Sequence, residues 1–126
     1  MSIMQDRILG ATLFFLIVFL TGVWLGQSGR PFNELLMSVH KLISFAAVVF
    51  LFLVFLHLYR DGGFSRMEWV ACMAAGVSFL AAFVSGGVVT AQERAPTAFL
   101  AVHWIAPFVA LLSTAAAFAL FLLQGR

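Results

Sequence analysis

Four long apolar runs separated by short polar stretches set the pattern of the chain: residues 8–26, 35–59, 66–90 and 97–123. Each is close to the ~20 residues that a helix needs to cross the hydrocarbon core of a bilayer. The interruptions carry helix stop and start signals. GQSGRPFNE follows the first run and places Pro31 and Asn33 where one helix ends and the next opens. RDGGFSR breaks the second run at its paired glycines, and Ser65 with Glu68 three residues on fits a capping box that starts the third helix near Arg66. AQERAP closes the third run, and Pro96 opens the fourth. Short links make successive helices antiparallel neighbours, so the pattern predicts an all-α fold: a transmembrane, up-and-down four-helix bundle forming a single membrane domain over residues 1–126.

Composition agrees with that reading. The chain has 126 residues, 63% hydrophobic and 10% charged, which lies outside the range of a soluble domain and marks an integral membrane protein in contact with lipid. The first run is too long for the apolar core of a signal peptide and no A-x-A-like site follows it, so it is read as a helix of the mature protein. The net charge of +2 comes from few groups near helix ends, which suits anionic headgroups and not nucleic acid. A single cysteine, Cys72, supplies no internal disulfide and no C-x-x-C pair, and reads as a small apolar residue. Arg7, Arg60, Arg66 and Arg126 fall on one side, Arg30 and Arg94 on the other with Lys41 just inside it, which predicts both termini in the cytoplasm. No internal repeat of matching residues is expected, although the histidine-bearing second and fourth helices invite a comparison of two hairpins.

Ionisable side chains inside such runs cost about 2.5–3.5 kcal/mol at the bilayer centre and call for a partner or a task. His40 lies five residues past Leu35 and His103 six past Thr97, so in parallel second and fourth helices the two imidazoles differ in depth by only about 1.5 Å. Helical facing puts Ala106, Pro107, Ala110, Thr114 and Ala117 with His103, and Ser44, Ala47 and Leu51 with His40, faces of small residues suited to a helix interface. The other two helices bring Gly22 and Gly26, and Ser85, Gly86 and Gly87, to the same level. Glycine lets a backbone or a flat ring approach closely. Two histidines and two glycine pairs in one layer describe a slot for a macrocycle with two axial nitrogens, and haem fits it, with His40 and His103 as the iron ligands. Arg30 and Lys41 lie near the slot as cationic partners for haem propionates. Pro107 is expected to bend the fourth helix at His103. His57 stands 17 residues after His40, about 25 Å along the helix, and reads instead as part of an interfacial belt with Tyr59 and Arg60.

Ser38-Val39-His40-Lys41 early in one helix, Val102-His103-Trp104 with Ala106-Pro107 early in another, and the glycines resemble the four-helix membrane b-type cytochromes, such as bacterial cytochrome b561 and the cytochrome b subunits of hydrogenases. Many of those hold two haems on four histidines. One matched pair here implies one haem b per chain near the non-cytoplasmic side of a bacterial inner membrane, with a quinone or a redox subunit as electron partner, in a homo-oligomer or a membrane complex. Any enzymatic activity is then redox at the haem edge, and no catalytic residue is assigned. Two rivals stand beside this. One is a cofactor-free accessory or scaffold subunit whose small-residue faces only pack helices. The other is a small four-helix transporter, disfavoured because Asp6, Glu34, Asp61, Glu68 and Glu93 all fall in flanks or loops.

Overall fold

The structure, a computed structural model, describes residues 2–125. Arg126, counted above for orientation, lies outside them. Among the described residues the fold is all-α, with α1 (Ile3–Ser28), α2 (Glu34–Gly62), α3 (Arg66–Ala91) and α4 (Thr97–Leu123) and no strand. All four helices are long and apolar enough to cross a membrane. At ~1.5 Å per residue the shortest spans about 39 Å, more than the ~30 Å hydrocarbon core. Large apolar side chains such as Leu42, Phe52 and Leu112 are 69%, 63% and 70% exposed, a surface made for lipid. The chain is an integral membrane protein by this architecture.

The helix boundaries differ from the apolar runs for local reasons. α1 begins five residues before the first run because Ser2 and Gln5 form a capping box: Gln5 N–H donates to Ser2 Oγ at 3.2 Å and Ser2 N–H donates to Gln5 Oε1 at 2.8 Å. α2 continues through Asp61 and Gly62 and stops at Gly63, whose φ of +67° suits only glycine well. Asn33 opens α2, its Oδ1 accepting the Leu36 N–H at 3.0 Å. α3 starts where expected, with the Ser65–Glu68 box in place at 3.2 and 2.8 Å.

Two compact units divide the chain, Met1–Gly62 and Gly63–Arg126, each a hairpin of two helices. In the first, α1 and α2 run antiparallel, since Gly10 lies against the Phe50 ring and Gly22 against His40. Phe14 and Phe50 meet with ring centroids 5.3 Å apart, and Ala47, Leu51, Val54 and Leu58 form the buried stripe of α2. In the second, Gly86 lies against His103. Its buried positions are mostly small: Ala71, Ala75, Ser78 and Ser85 on α3, and Ala106, Ala110, Thr114 and Ala117 on α4. Small side chains let helix backbones approach, and α3 and α4 are the more closely apposed pair. Phe64 closes the open end of this hairpin against Phe121 and Trp69, each 5.4 Å away centroid to centroid. Several hydroxyls within the helices bond to carbonyls one turn back, as Thr12 does to Ile8 and Ser78 to Ala74, whereas the buried Thr114 Oγ1 has no hydrogen-bond partner.

Candidate functional site

Each hairpin builds one histidine seat. His40 is six residues past Glu34, the first residue of α2, and His103 is six past Thr97, the first of α4. Both imidazoles are half-buried. In the first hairpin Thr21 Oγ1 lies 2.8 Å from His40 Nδ1, and the same hydroxyl is 2.9 Å from the carbonyl of Ile17. A hydroxyl has one proton to give, so Thr21 either donates to Ile17 and accepts the Nδ1 proton of His40 or donates to a bare Nδ1, and this contact is compatible with both. In the second hairpin Ser85 Oγ donates to the Ala81 carbonyl at 2.7 Å and lies 3.3 Å from His103 Nδ1. His103 Nδ1 is also 3.0 Å from the Ala82 carbonyl, which cannot donate, so the proton there belongs to the ring. A neutral His103 ring is therefore the Nδ1–H tautomer, with the lone pair on Nε2.

The glycines take a different part from the slot expected for them. A Cβ on Gly22 would sit 3.1 Å from His40 Cε1, and one on Gly86 would sit 2.8 Å from His103 Cε1. Each glycine makes room for the imidazole of its own hairpin. Gly87 has open space where its Cβ would be, and Gly26 is exposed. Gly87 is thus not brought to a histidine. Lys41, next to His40, is exposed, and Arg30 in the link before α2 places its guanidinium 5.0 Å from the Phe32 ring centroid.

Thr21 and Ser85 were not singled out as partners by sequence reasoning, yet a signal was there. Residues 15–22 read FLIVFLTG and residues 79–86 read FLAAFVSG. Val39-His40 with Phe45 and Ala47 recurs 63 residues on as Val102-His103 with Phe108 and Ala110. The N-caps Ser2 and Ser65 repeat with the same spacing, each in a capping box. The expectation of no matching repeat is thus corrected. The pattern F-L-x-x-F-x-[hydroxyl]-Gly followed by Val-His escapes notice because most intervening apolar residues interchange freely, and because the first helices align at a spacing of 64.

The residue four after each histidine also perturbs the histidine's own carbonyl. Ser44 Oγ donates to the His40 carbonyl at 2.7 Å, whereas Pro107, inside an uninterrupted α4, has no N–H to give the carbonyl of His103. His57 is exposed and its Nε2 lies 3.4 Å from Asp61 Oδ2 one turn on, away from the histidine level. Glu68 lies at the flank expected for it, in the first turn of α3, yet it is fully buried, its Oε2 accepting the Ser65 N–H.

The described residues hold no group of three or more His, Cys, Asp or Glu able to bind a metal ion. Compared with known proteins, the chain matches no family model, no curated protein and no solved structure. The chemistry must accordingly be argued from the donor set itself. Each hairpin offers one oriented imidazole nitrogen. A bare structural or catalytic ion draws three or four protein ligands, whereas haem brings four nitrogens of its own and lacks only axial ones. One oriented nitrogen per hairpin fits that need.

Proposed function

We propose that the protein is a membrane electron-transfer cytochrome in which His40 and His103 are the two axial ligands of one haem b. The observation that carries the reading is the recurrence of one seat in both hairpins: a hydroxyl at Nδ1, a glycine against Cε1, and a histidine at the same distance from its helix start. A satisfied histidine can occur once by packing alone. The same hydroxyl, glycine and histidine on both halves is what a two-ligand site requires. When bound, haem supplies reversible one-electron exchange at its iron. The chain's part is to hold Nε2 of each imidazole toward the metal, to keep the site in an apolar surrounding, and to offer Arg30 and Lys41 as cationic partners for propionates. The arginine bias places the termini in the cytoplasm of a bacterial inner membrane and the histidines toward the opposite face. A quinone or a redox subunit is the electron partner of such a site.

A second reading is favoured by one observation. Each imidazole is already held inside its own hairpin by hydroxyl and glycine, which is also how a purely structural histidine is satisfied. In that case the protein is a cofactor-free accessory subunit. Spectra of detergent-purified protein from haem-replete cells, oxidised and dithionite-reduced, separate the two. The cytochrome should show sharp low-spin bands and about one haem per chain, and a folded, colourless protein leaves the accessory reading.

A further inference from the structure

We propose that Thr21 and Ser85 are positioning residues that hold the proton of His40 and His103 on Nδ1 and thereby tune Nε2 as a metal ligand. For its metal this rests on the haem reading above; for the tautomer it stands on hydrogen-bond geometry alone. Thr21 Oγ1 lies 2.9 Å from Ile17 O and Ser85 Oγ 2.7 Å from Ala81 O, so each hydroxyl has a carbonyl to take its proton and an oxygen lone pair to turn to the imidazole. The Ala82 carbonyl at 3.0 Å adds a second acceptor at His103. Between the halves the neighbours of these hydroxyls change, Ile17-Val18 to Ala81-Ala82 and Leu20 to Val84, while hydroxyl and glycine persist as Thr21-Gly22 and Ser85-Gly86. A proton partly drawn toward an oxygen at Nδ1 makes Nε2 a stronger donor, which favours the more highly charged ferric iron and lowers the midpoint potential. The glycines complete the device by letting Cε1 of each ring approach the neighbouring helix, within reach of the oxygen.

The test begins with the full chain in lipid nanodiscs, unloaded, labelled with 15N-histidine and carrying His57→Gln to remove the third ring. At a pH where imidazole is neutral, both remaining rings should show a protonated Nδ1 and a bare Nε2. Thr21→Val should move proton population to Nε2 at His40 and leave His103 unchanged, while Thr21→Ser should restore the original signal. In haem-loaded protein the double variant Thr21→Val/Ser85→Ala should raise the midpoint potential and shift the low-spin electron-resonance g-values, and Thr21→Ser/Ser85→Thr should keep both near wild type. A proton on Nε2 of either ring in the parent chain overturns the inference, as does a double variant whose potential and g-values match the parent's. A parent protein that takes up no haem removes the cytochrome reading instead, and the nitrogen shifts of the unloaded chain still decide the tautomer.

Discussion

An imidazole offers two nitrogens of opposite role, and the oxygen bonded to one decides what the other can do. His40 has a hydroxyl oxygen and His103 a carbonyl oxygen at Nδ1, while His57 turns its Nε2 to Asp61 in an exposed pair. Replacing His40 or His103 with alanine should therefore lose the haem or turn it high-spin, and His57→Ala should leave absorption spectrum and haem stoichiometry unchanged. The glycines separate in the same way. A methyl at position 86 meets His103 Cε1 at 2.8 Å, and at position 22 it meets His40 Cε1 at 3.1 Å, whereas position 87 has nothing within 4 Å. Gly86→Ala should lower stability by about 1–3 kcal/mol through ring displacement, with a smaller loss for Gly22→Ala. Gly87→Ala should raise it by about 0.5–1 kcal/mol, the ordinary helix gain over glycine. Thermal unfolding of the three variants in one detergent orders them.

Among the helices, capping and side-chain size account for most of what distinguishes them. α1 and α3 both start in a capping box, and in α3 the Glu68 that completes it is fully buried. Ser65→Ala removes the oxygen that takes the Glu68 N–H and should cost about 1 kcal/mol, read as a lower melting temperature. α3 and α4 meet through alanine, serine and threonine, where α1 and α2 bring phenylalanine rings between them. Ala110 is fully buried at this level. Ala110→Leu should destabilise by about 1–3 kcal/mol, more than Ala47→Leu in α2 if the rings of the first hairpin yield more readily than the backbones of the second. Unfolding in a denaturing detergent titration compares the two.

For the molecule as a whole, two hairpins with 26-residue first helices, five-residue links and a histidine six residues into each second helix describe one motif used twice. Arginine placement is the basis of the orientation proposed for it. Arg7, Arg60 and Arg66 lie at one end of their helices, and Arg30 and Arg94 in the links at the other. Reporter fusions after Arg126 and within the link at Arg94 should report opposite compartments, with the C-terminal fusion cytoplasmic. A cytoplasmic Arg94 link reverses the orientation and moves the proposed haem to the cytoplasmic side.

Four spans and their order were legible in the sequence, because a bilayer demands ~20 apolar residues per helix and glycine, proline and charge mark the breaks. Helix facing was legible too: the 100° step grouped Ala106, Pro107, Ala110, Thr114 and Ala117 with His103, and the structure buries all of them but Pro107, which is half-buried. The start of α1 was missed because its cap, Ser2 with Gln5, lies in a polar stretch outside the apolar run. What the glycines serve could not be read from spacing. Their level in the helices was evident, but whether a glycine faces a foreign ring or the imidazole of its own hairpin depends on the rotation of one helix against the next. That rotation is set by the packing of side chains far apart in sequence, Gly10 on Phe50 and Gly22 on His40. The same holds for Thr21 and Ser85: the sequence places a hydroxyl one residue before each glycine, and only tertiary packing carries it to a histidine nitrogen on the partner helix.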